Sequence, residues 1–432
     1  MHVPSTENLK REIGIFGLAI AVINITIGSG IFVLPAVVAE KTGAAAIICY
    51  LVCGLLIFLI GLCFAEVGSK ISVSGGTYAY IESAFGPFAG FLANNIFVFG
   101  SCVLSDAAIA NAMYDLLSNL FPFLHSLPVK IIFLLLLFGG LGWINIYGTK
   151  YGLRFIMLAT FIKLIPLVAI ITFGVGHVTV TNLHWSSIPS LEEIGAASLL
   201  LFYAFLGIET AVTNSGEFKN PGRTVPLGII TGLSFVLLLY IAIQLTTQGV
   251  LGKQLLENKE APLAAVSNII FGKAGFLLIT IGTLISMLGA VSGEIFAIPR
   301  VLFAGARDGL LPKFLSAVHP SFQTPYNAII VYSILDFILA LSGGFKQLAI
   351  LSSAATLIIY LGVVLAAVKI KAGKNAVLQK TFSIPGGVII PVITAFFIVW
   401  MLSHLSAEEL KGFSVFLLVL TAVYAVVRIF RR

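Results

Sequence analysis

Charged residues are scarce in this sequence, and their scarcity fixes the broad class of protein. Only 10% of the 432 residues are charged, whereas 59% are hydrophobic and the mean hydropathy is +1.08. Soluble domains carry roughly 25% charged residues, so this composition excludes a soluble globular protein. The chain is predicted to be an all-α integral membrane protein that crosses the bilayer several times.

Cysteine and histidine are also rare, with four and six residues. The cysteines lie inside apolar stretches, where a thiol behaves as a small hydrophobic side chain. The sequence contains no His-Glu-x-x-His motif and no P-loop. These absences argue against a disulfide framework, a metal site, a bound cofactor and an enzyme.

Long polar segments are absent as well. The longest predicted outer loops, 176–193 and 251–272, are too short to form a soluble enzyme or receptor domain. A channel would be expected to be shorter and to contain a repeated selectivity filter. A secondary transporter is therefore favoured over a membrane enzyme, a channel or a receptor.

Apolar stretches of about 20 residues, the length of a helix that crosses a bilayer, are abundant. We predict twelve membrane-spanning helices. Their approximate bounds are 13–39, 44–68, 86–118, 129–147, 152–175, 195–217, 226–250, 274–304, 326–342, 347–369, 386–403 and 411–428.

The basic residues are distributed unevenly between the predicted loops. Of the 25 Lys and Arg residues, 17 fall in the predicted inner loops and tails and 7 in the outer loops, and Lys163 falls inside a span. This distribution follows the positive-inside rule and predicts that both termini are cytoplasmic. It also accounts for the net charge of +7 without a nucleic-acid partner. A bacterial inner membrane is the favoured location.

The first predicted span, within 13–40, contains Gly28-Ser29-Gly30 near its middle. Glycine weakens a helix by about 1 kcal/mol relative to alanine, so the pair predicts a break at the depth of the bilayer centre. Broken backbone at that depth occurs where it is buried in protein or lines a cavity. The alternative is that these glycines allow close packing between helices.

The second half of the chain contains a similar feature. The span 195–217 holds Gly207 and Glu209 near its centre. Interrupted helices at corresponding positions of two halves are typical of transporters with inverted repeats, in which the substrate lies between the breaks. We therefore predict a cytoplasmic tail at 1–12, five-helix repeats at 13–175 and 195–370 joined by an external loop at 176–194, and two further helices with a tail at 371–432.

Several motifs in the sequence occur in the order seen in one known family. They are Ile27-Gly28-Ser29-Gly30-Ile31-Phe32, Phe64-Ala65-Glu66-Val67, Ser74-Gly75-Gly76-Thr77-Tyr78-Ala79-Tyr80 with Phe85-Gly86-Pro87-Phe88, Lys219-Asn220-Pro221 with Arg223 and Pro226, Pro299-Arg300 with Ala306-Arg307-Asp308-Gly309-Leu310-Leu311-Pro312, and Ile384-Pro385-Gly386-Gly387. On these motifs the chain resembles the amino acid–polyamine–organocation (APC) superfamily of transporters along nearly its whole length.

The resemblance implies a leucine-transporter-like fold of five plus five helices, with helices one and six broken, and amino acid transport by alternating access. It implies that amides at Ser29 and Gly30 bind the substrate carboxylate, while carbonyls near Thr26, Tyr203 and Leu206 bind its ammonium group. Helix dipoles favour the same arrangement, because amides at the start of a helix attract an anion and carbonyls at its end attract a cation. The predicted substrate-binding residues are Thr26, Ile27, Gly28, Ser29, Gly30, Ser105, Tyr203, Phe205, Leu206, Gly207 and Glu294.

Two charged residues inside predicted spans are candidates for proton coupling, because intramembrane charges are rare and usually functional. Glu209 could exchange a proton, or it could cap the amides of the second half-helix. Lys163 resembles the helix-five lysine of relatives that work without sodium, and an ammonium there would repel Na⁺. It could instead join helix five to carbonyls of the broken first helix.

Other polar and aromatic residues leave alternatives open. Glu294 predicts a polar pocket or one that prefers a cationic side chain, or else it pairs with Arg300. One of Ser105 and Asp106 is expected to face the cavity. Either Tyr203 or Phe205, rather than both, is expected to close the site as a gate.

The sequence therefore predicts a sodium-independent secondary transporter of amino acids that works by proton symport or exchange. The alternative is exchange of cationic amino acids or polyamines, although a polyamine would leave the carboxylate-binding amides unused. The predicted partners are an amino acid, protons and the lipid bilayer. The expected oligomeric state is a monomer or a weak homodimer.

Overall fold

The computed structural model describes residues 13–71, 76–147, 163–185, 187–212, 218–307, 311–372 and 382–430. Some predictions fall outside these ranges. They include the tail at 1–12, the first part of the predicted fifth span, and the motif residues Ser74, Gly75, Asp308, Gly309 and Leu310.

The described residues are largely α-helical and contain no β-strand, and the two segments around Ile13 and Phe218 form an isolated bridge. In chain order the α-helices are α1 (Ile15–Thr26), α2 (Gly30–Thr42), α3 (Ile47–Lys70), α4 (Gly76–Phe85), α5 (Pro87–Asn95), α6 (Val103–Leu120), α7 (Leu127–Tyr147), α8 (Lys163–His177), α9 (Leu191–Leu201), α10 (Ile208–Ala211), α11 (Pro221–Leu251), α12 (Pro262–Arg307), α13 (Tyr326–Ser342), α14 (Phe345–Ala372), α15 (Ile389–Leu402) and α16 (Ala407–Phe430). A π-helical turn at Ile96–Cys102 joins α5 to α6.

Seven helical stretches within the described ranges are long and apolar enough to cross a membrane. The number is eight if α15 and α16, which meet at an angle of 115°, count as one span. The helices α1, α8 and α13 are apolar but shorter. The prediction of an all-helical, multi-pass membrane protein is confirmed at this level, while the number of twelve spans stays a prediction.

Two segments that were predicted as loops are helical. Residues 76–85 form α4, and the predicted outer loop 251–272 contains the first turns of α12. Gly272 has φ of 66° and kinks α12 just before the apolar stretch that was predicted as a span. Both segments were missed because they are short and lack an apolar run of spanning length.

The broken first helix packs against the long helix α11. The backbones approach closely at Gly232, where a Cβ atom would lie 3.0 Å from the carbonyl oxygen of Ala19 and 2.8 Å from the Cβ of Val22. Membrane helices commonly use small residues to bring backbones together in this way. This contact holds α1 in place up to the residues that precede its break.

An ion-pair cluster around the buried Glu66 joins distant parts of the chain at the end of α3. The carboxylate of Glu66 is fully buried and contacts Lys70 at 2.7 Å and Lys371 of α14 at 3.1 Å. The amide of Ile384 also donates a hydrogen bond to Glu66 Oε2 at 3.2 Å. Two of the motifs that carry the family resemblance therefore meet in space, and each charge has a partner of opposite sign.

Candidate functional site

The first break separates α1 from α2. The helix α1 ends at Thr26, and regular helix resumes at Gly30. The amide of Gly28 donates to the carbonyl of Thr26 at 2.8 Å, in place of the bond that a continuous helix would make. The amide of Phe32 donates to the carbonyl of Ser29 at 3.1 Å, whereas the amides of Gly30 and Ile31 have no acceptor within α2, as at any helix start, and can bind an anion.

The second break separates α9 from α10. A 3₁₀ segment at Phe202–Phe205 ends α9, Leu206 is extended, and Gly207 has φ of 132°. Residues with a side chain rarely adopt that φ, so glycine is required at this position. The amide of Gly207 donates to Glu209 Oε2 at 3.1 Å, which satisfies one backbone donor at the break.

The two breaks touch each other. A Cβ atom at Gly207 would lie 3.2 Å from the amide nitrogen of Thr26, and a Cβ atom at Gly30 would lie 2.8 Å from the Cβ of Ala204. The hydroxyl of Tyr240 on α11 lies 2.9 Å from the carbonyl oxygens of both Thr26 and Ala204. A single hydroxyl therefore binds the last turn before each break.

A cavity of about 60 Å³ lies between the breaks and the helices α6 and α12. Ten of the thirteen predicted site residues line it. They are Thr26, Gly28, Ser29, Gly30, Ser105, Tyr203, Leu206, Gly207, Glu209 and Glu294. The structure thus brings together residues that are nearly 270 positions apart in the sequence.

The three other predicted residues lie outside the cavity wall. Ile27 is fully buried, and the ring of Phe205 packs against Tyr240 with centroids 5.2 Å apart. Of the two gate candidates, Tyr203 is the one at the cavity. The Nζ of Lys163 donates to the carbonyl of Asn24 at 2.5 Å, so this lysine joins α8 to the last turns of α1.

The sequence analysis missed several residues of the wall. Ser101 and Cys102 from the π-helical turn, Thr210 from α10 and Ala290 from α12 line the cavity, as do Ile25, Ile109 and Ala204. The sequence could have indicated Ser101 and Cys102 as wall residues, because they lie one helical turn before Ser105. Nothing in the sequence distinguishes Tyr240 as a residue near the site, because it is one of 12 tyrosines and lies in an apolar span.

Two carboxyl groups face the cavity in different surroundings. Glu209 Oε2 accepts hydrogen bonds from the amide of Gly207 and from the hydroxyl of Tyr360 on α14. Glu294 Oε2 is buried with no hydrogen-bond partner among the described residues. Arg300 forms no ion pair with Glu294 there, and its guanidinium lies 3.9 Å from the centre of the Phe296 ring.

The hydroxyl groups around the cavity also differ in their contacts. Ser105 Oγ and the Tyr203 hydroxyl lie 3.1 Å apart, which links α6 to the second break. Thr26 Oγ1 and Ser29 Oγ are buried without a partner in the described part of the chain. The site therefore offers helix-end amides for an anion, hydroxyl groups for hydrogen bonds, and carboxyl groups for a cation.

Comparison with known proteins identifies the family. The profile of the family described as "Amino acid permease" matches residues 13–429. The serine/threonine exchanger SteT of Bacillus subtilis is 35% identical over 338 residues, which cover 76% of this chain and 76% of that protein.

Two further relatives from Bacillus subtilis match almost the full length. The methylthioribose transporter is 28% identical over 97% of this chain and 94% of its own length. The branched-chain amino acid permease BcaP is 26% identical over 97% of this chain and 93% of its own length. The family profile and these relatives describe transporters and no enzyme. The chain belongs to the amino acid permease family of the APC superfamily, and it is a membrane transporter.

Proposed function

We propose that this protein moves small amino acids across a membrane by alternating access, with the substrate held in the cavity between the two breaks. The observation that carries this proposal is the contact between the two breaks across a cavity lined by Ser29, Gly30 and Gly207. The start of α2 offers amide donors to a carboxylate, and the end of the 3₁₀ segment offers carbonyl oxygens to an ammonium group. An α-amino acid carries both groups.

The size and the wall of the cavity favour a small polar substrate. Its volume of about 60 Å³ is well below the roughly 300–1,000 Å³ of pockets for larger ligands. Ser29, Ser105 and Thr26 place hydroxyl groups on the wall. Serine and threonine are small and carry a hydroxyl group that these side chains can bind, and one relative is named as a serine/threonine exchanger.

We infer that transport does not use sodium. The ammonium group of Lys163 contacts the carbonyl of Asn24, in the last turn of α1. Carbonyl oxygens at the end of a helix attract cations, and a lysine ammonium already bound there repels a sodium ion. Proton symport and amino acid exchange are the two modes that remain.

A second candidate is exchange of cationic amino acids. It is favoured by Glu209 and Glu294, which place two carboxyl groups on one small cavity. The side chain of lysine or ornithine would have to extend toward Glu294, whose Oε2 has no partner among the described residues. Because the cavity is small, we rank this candidate second.

The arrangement of the whole chain is also a proposal. We infer that 13–175 and 195–370 form two inverted five-helix repeats, because each begins with a broken helix. The location of both termini in the cytoplasm follows from the distribution of basic residues.

The purified protein in liposomes tests the function directly. Radiolabelled serine should accumulate in sodium-free buffer, either with an inward proton gradient or with unlabelled serine inside. Unlabelled threonine should compete strongly and lysine weakly. Competition in the reverse order would support the cationic candidate, and a strict requirement for sodium would contradict the role of Lys163. Absence of serine, threonine and lysine transport under all these conditions would refute amino acid transport.

A further inference from the structure

Three carboxyl groups lie at the cavity or behind it, on three helices that pack against one another. Asp106 on α6 and Asp336 on α13 are fully buried, and Glu294 on α12 lines the cavity. The helices α6, α12 and α13 pack against one another in pairs, and the Tyr332 hydroxyl of α13 donates a hydrogen bond to Asp106 of α6. Only Glu294 of the three lines the cavity, so the other two are not predicted to touch the substrate.

The position of Asp336 follows from its neighbours on α13. Tyr332 and Ala340 lie one turn before it and one turn after it, and residues spaced by four share a face of a helix. The Tyr332 hydroxyl donates to Asp106 Oδ2 at 3.1 Å, and Asn111 Nδ2 donates to the Ala340 carbonyl at 2.9 Å. Asp336 therefore lies on the face that packs against α6.

The cluster has far more acceptors than donors. Both carboxyl oxygens of Asp336, Oδ1 of Asp106 and Oε2 of Glu294 are buried and have no hydrogen-bond partner in the described ranges. Within the described residues the Tyr332 hydroxyl donates to Asp106, and the thiol of Cys102, a weak donor, lines the cavity with Glu294. An ionised carboxylate that is buried without a partner is strongly unfavourable. These oxygens therefore require a positive charge or a proton.

The surrounding groups supply no permanent positive charge. The titratable side chains beside the cluster are Cys102, Tyr203 and Glu209, which line the cavity with Glu294, and Tyr332, which binds Asp106. No Lys or Arg within the described residues forms an ion pair with the three carboxyl groups. No three His, Cys, Asp or Glu side chains in those ranges are close enough together to hold a metal ion.

We propose that Asp106, Glu294 and Asp336 form one proton-binding cluster, and that Glu294 couples its protonation to the occupation of the cavity. A proton bound to one of these carboxyl groups removes the charge that burial without a partner disfavours. A substrate ammonium group beside Glu294 would favour the ionised form of that residue, so binding and proton release are linked. The link to the substrate rests on the proposed function, whereas the proton site itself does not.

The pH dependence of serine exchange in proteoliposomes tests the cluster. Asp336→Asn removes one negative charge, so the remaining carboxyl groups ionise more readily and the midpoint of the pH profile should move down by about one unit. Tyr332→Phe removes the donor to Asp106, so its carboxylate is less stable and the midpoint should move up. Opposite shifts from neighbouring residues are not expected from a general loss of stability.

The matched control is Ser333→Ala. Ser333 is buried on α13 without a hydrogen-bond partner in the described chain, and its hydroxyl lies 2.8 Å from the position of a Cβ on Gly142 of α7. This variant should keep the wild-type pH profile. The proposal would be overturned if Asp336→Asn and Tyr332→Phe both kept the wild-type pH profile of serine exchange. It would also be overturned if added sodium or potassium abolished the shifts of the midpoint.

Infrared spectroscopy on the purified protein separates the cluster from the transport proposal. The carbonyl band of protonated carboxyl groups should be present near neutral pH without any substrate, and it should be weaker in Asp336→Asn than in Ser333→Ala. If the band behaves in this way while no amino acid is transported, the proton site stands and the proposed function fails. If the band is unchanged in Asp336→Asn, the proton site fails, whatever the outcome of the transport assays.

Discussion

The two breaks perform similar geometric tasks but are stabilised in different ways. The break between α1 and α2 consists of residues with ordinary φ values, and no side chain caps the start of α2. The break between α9 and α10 depends on Gly207 at φ of 132° and on Glu209, which binds the amide of Gly207 and the hydroxyl of Tyr360.

We infer from this difference that the two breaks have different roles. The first leaves its amide donors without side-chain partners, as an anion site requires. The second uses a carboxylate to satisfy its own backbone, and it is tied to α14 through Tyr360. The first break is therefore the better candidate for binding the substrate carboxylate, and the second is the better candidate for transmitting movement to other helices.

The largest effect is expected from Gly207→Ala. The φ of 132° is unfavourable for alanine by about 1–3 kcal/mol, and its Cβ would also lie 2.8 Å from Cγ2 of Ile25. Serine uptake in liposomes should be abolished. Gly140→Ala is the control, because its Cβ would meet no atom within 4 Å on the exposed face of α7. Normal uptake by Gly207→Ala would show that the second break is not needed in this conformation.

A smaller but still severe effect is expected from Gly30→Ala. The new Cβ would lie 2.9 Å from the backbone Cα of Ala204, so the two breaks would have to separate. Uptake should fall by about tenfold or more, since each 1.4 kcal/mol of lost transition-state stabilisation lowers a rate tenfold. Gly28→Ala should retain more activity, because its Cβ would meet no atom within 4 Å. Equal losses in both variants would argue against close approach as the reason for glycine at position 30.

The smallest effect is expected from Tyr360→Phe. This variant removes one hydrogen bond to Glu209 and leaves the bond from Gly207, so the expected loss is about 1–2 kcal/mol, or roughly tenfold in uptake. Tyr50→Phe is the matched control, because the buried Tyr50 hydroxyl has no partner within the described residues. A loss in Tyr360→Phe as large as that in Gly207→Ala would mean that the hydroxyl, rather than the glycine conformation, holds the second break.

The location of both breaks could be predicted from the sequence because their causes are local. Gly28 and Gly30 weaken the helix where they stand, and Gly207 with Glu209 marks the second site. The 3₁₀ segment before Gly207 was not predicted, since Phe202–Phe205 are ordinary apolar residues of a span. Its conformation depends on contacts with α2 and with Tyr240.

Partners of the buried polar groups could not be predicted in the same way. Asp336 lies in an apolar stretch of the sequence that does not show what it packs against, and in the structure it lies on the face of α13 that packs against α6. Tyr240 binds Thr26, which is 214 positions away. Contacts over such separations depend on the packing of helices, which a single sequence does not encode as a readable pattern.

The sequence by itself determined that this protein lies in a membrane and that it is helical, and it predicted that two of its helices are interrupted. Those properties follow from hydropathy and from the backbone freedom of glycine, which act over a few residues. The tertiary structure alone decided that the interruptions touch, which hydroxyl joins them, and which carboxyl groups are buried together. In an apolar interior a polar group must find a partner within about 3 Å, so its neighbours in space decide its role.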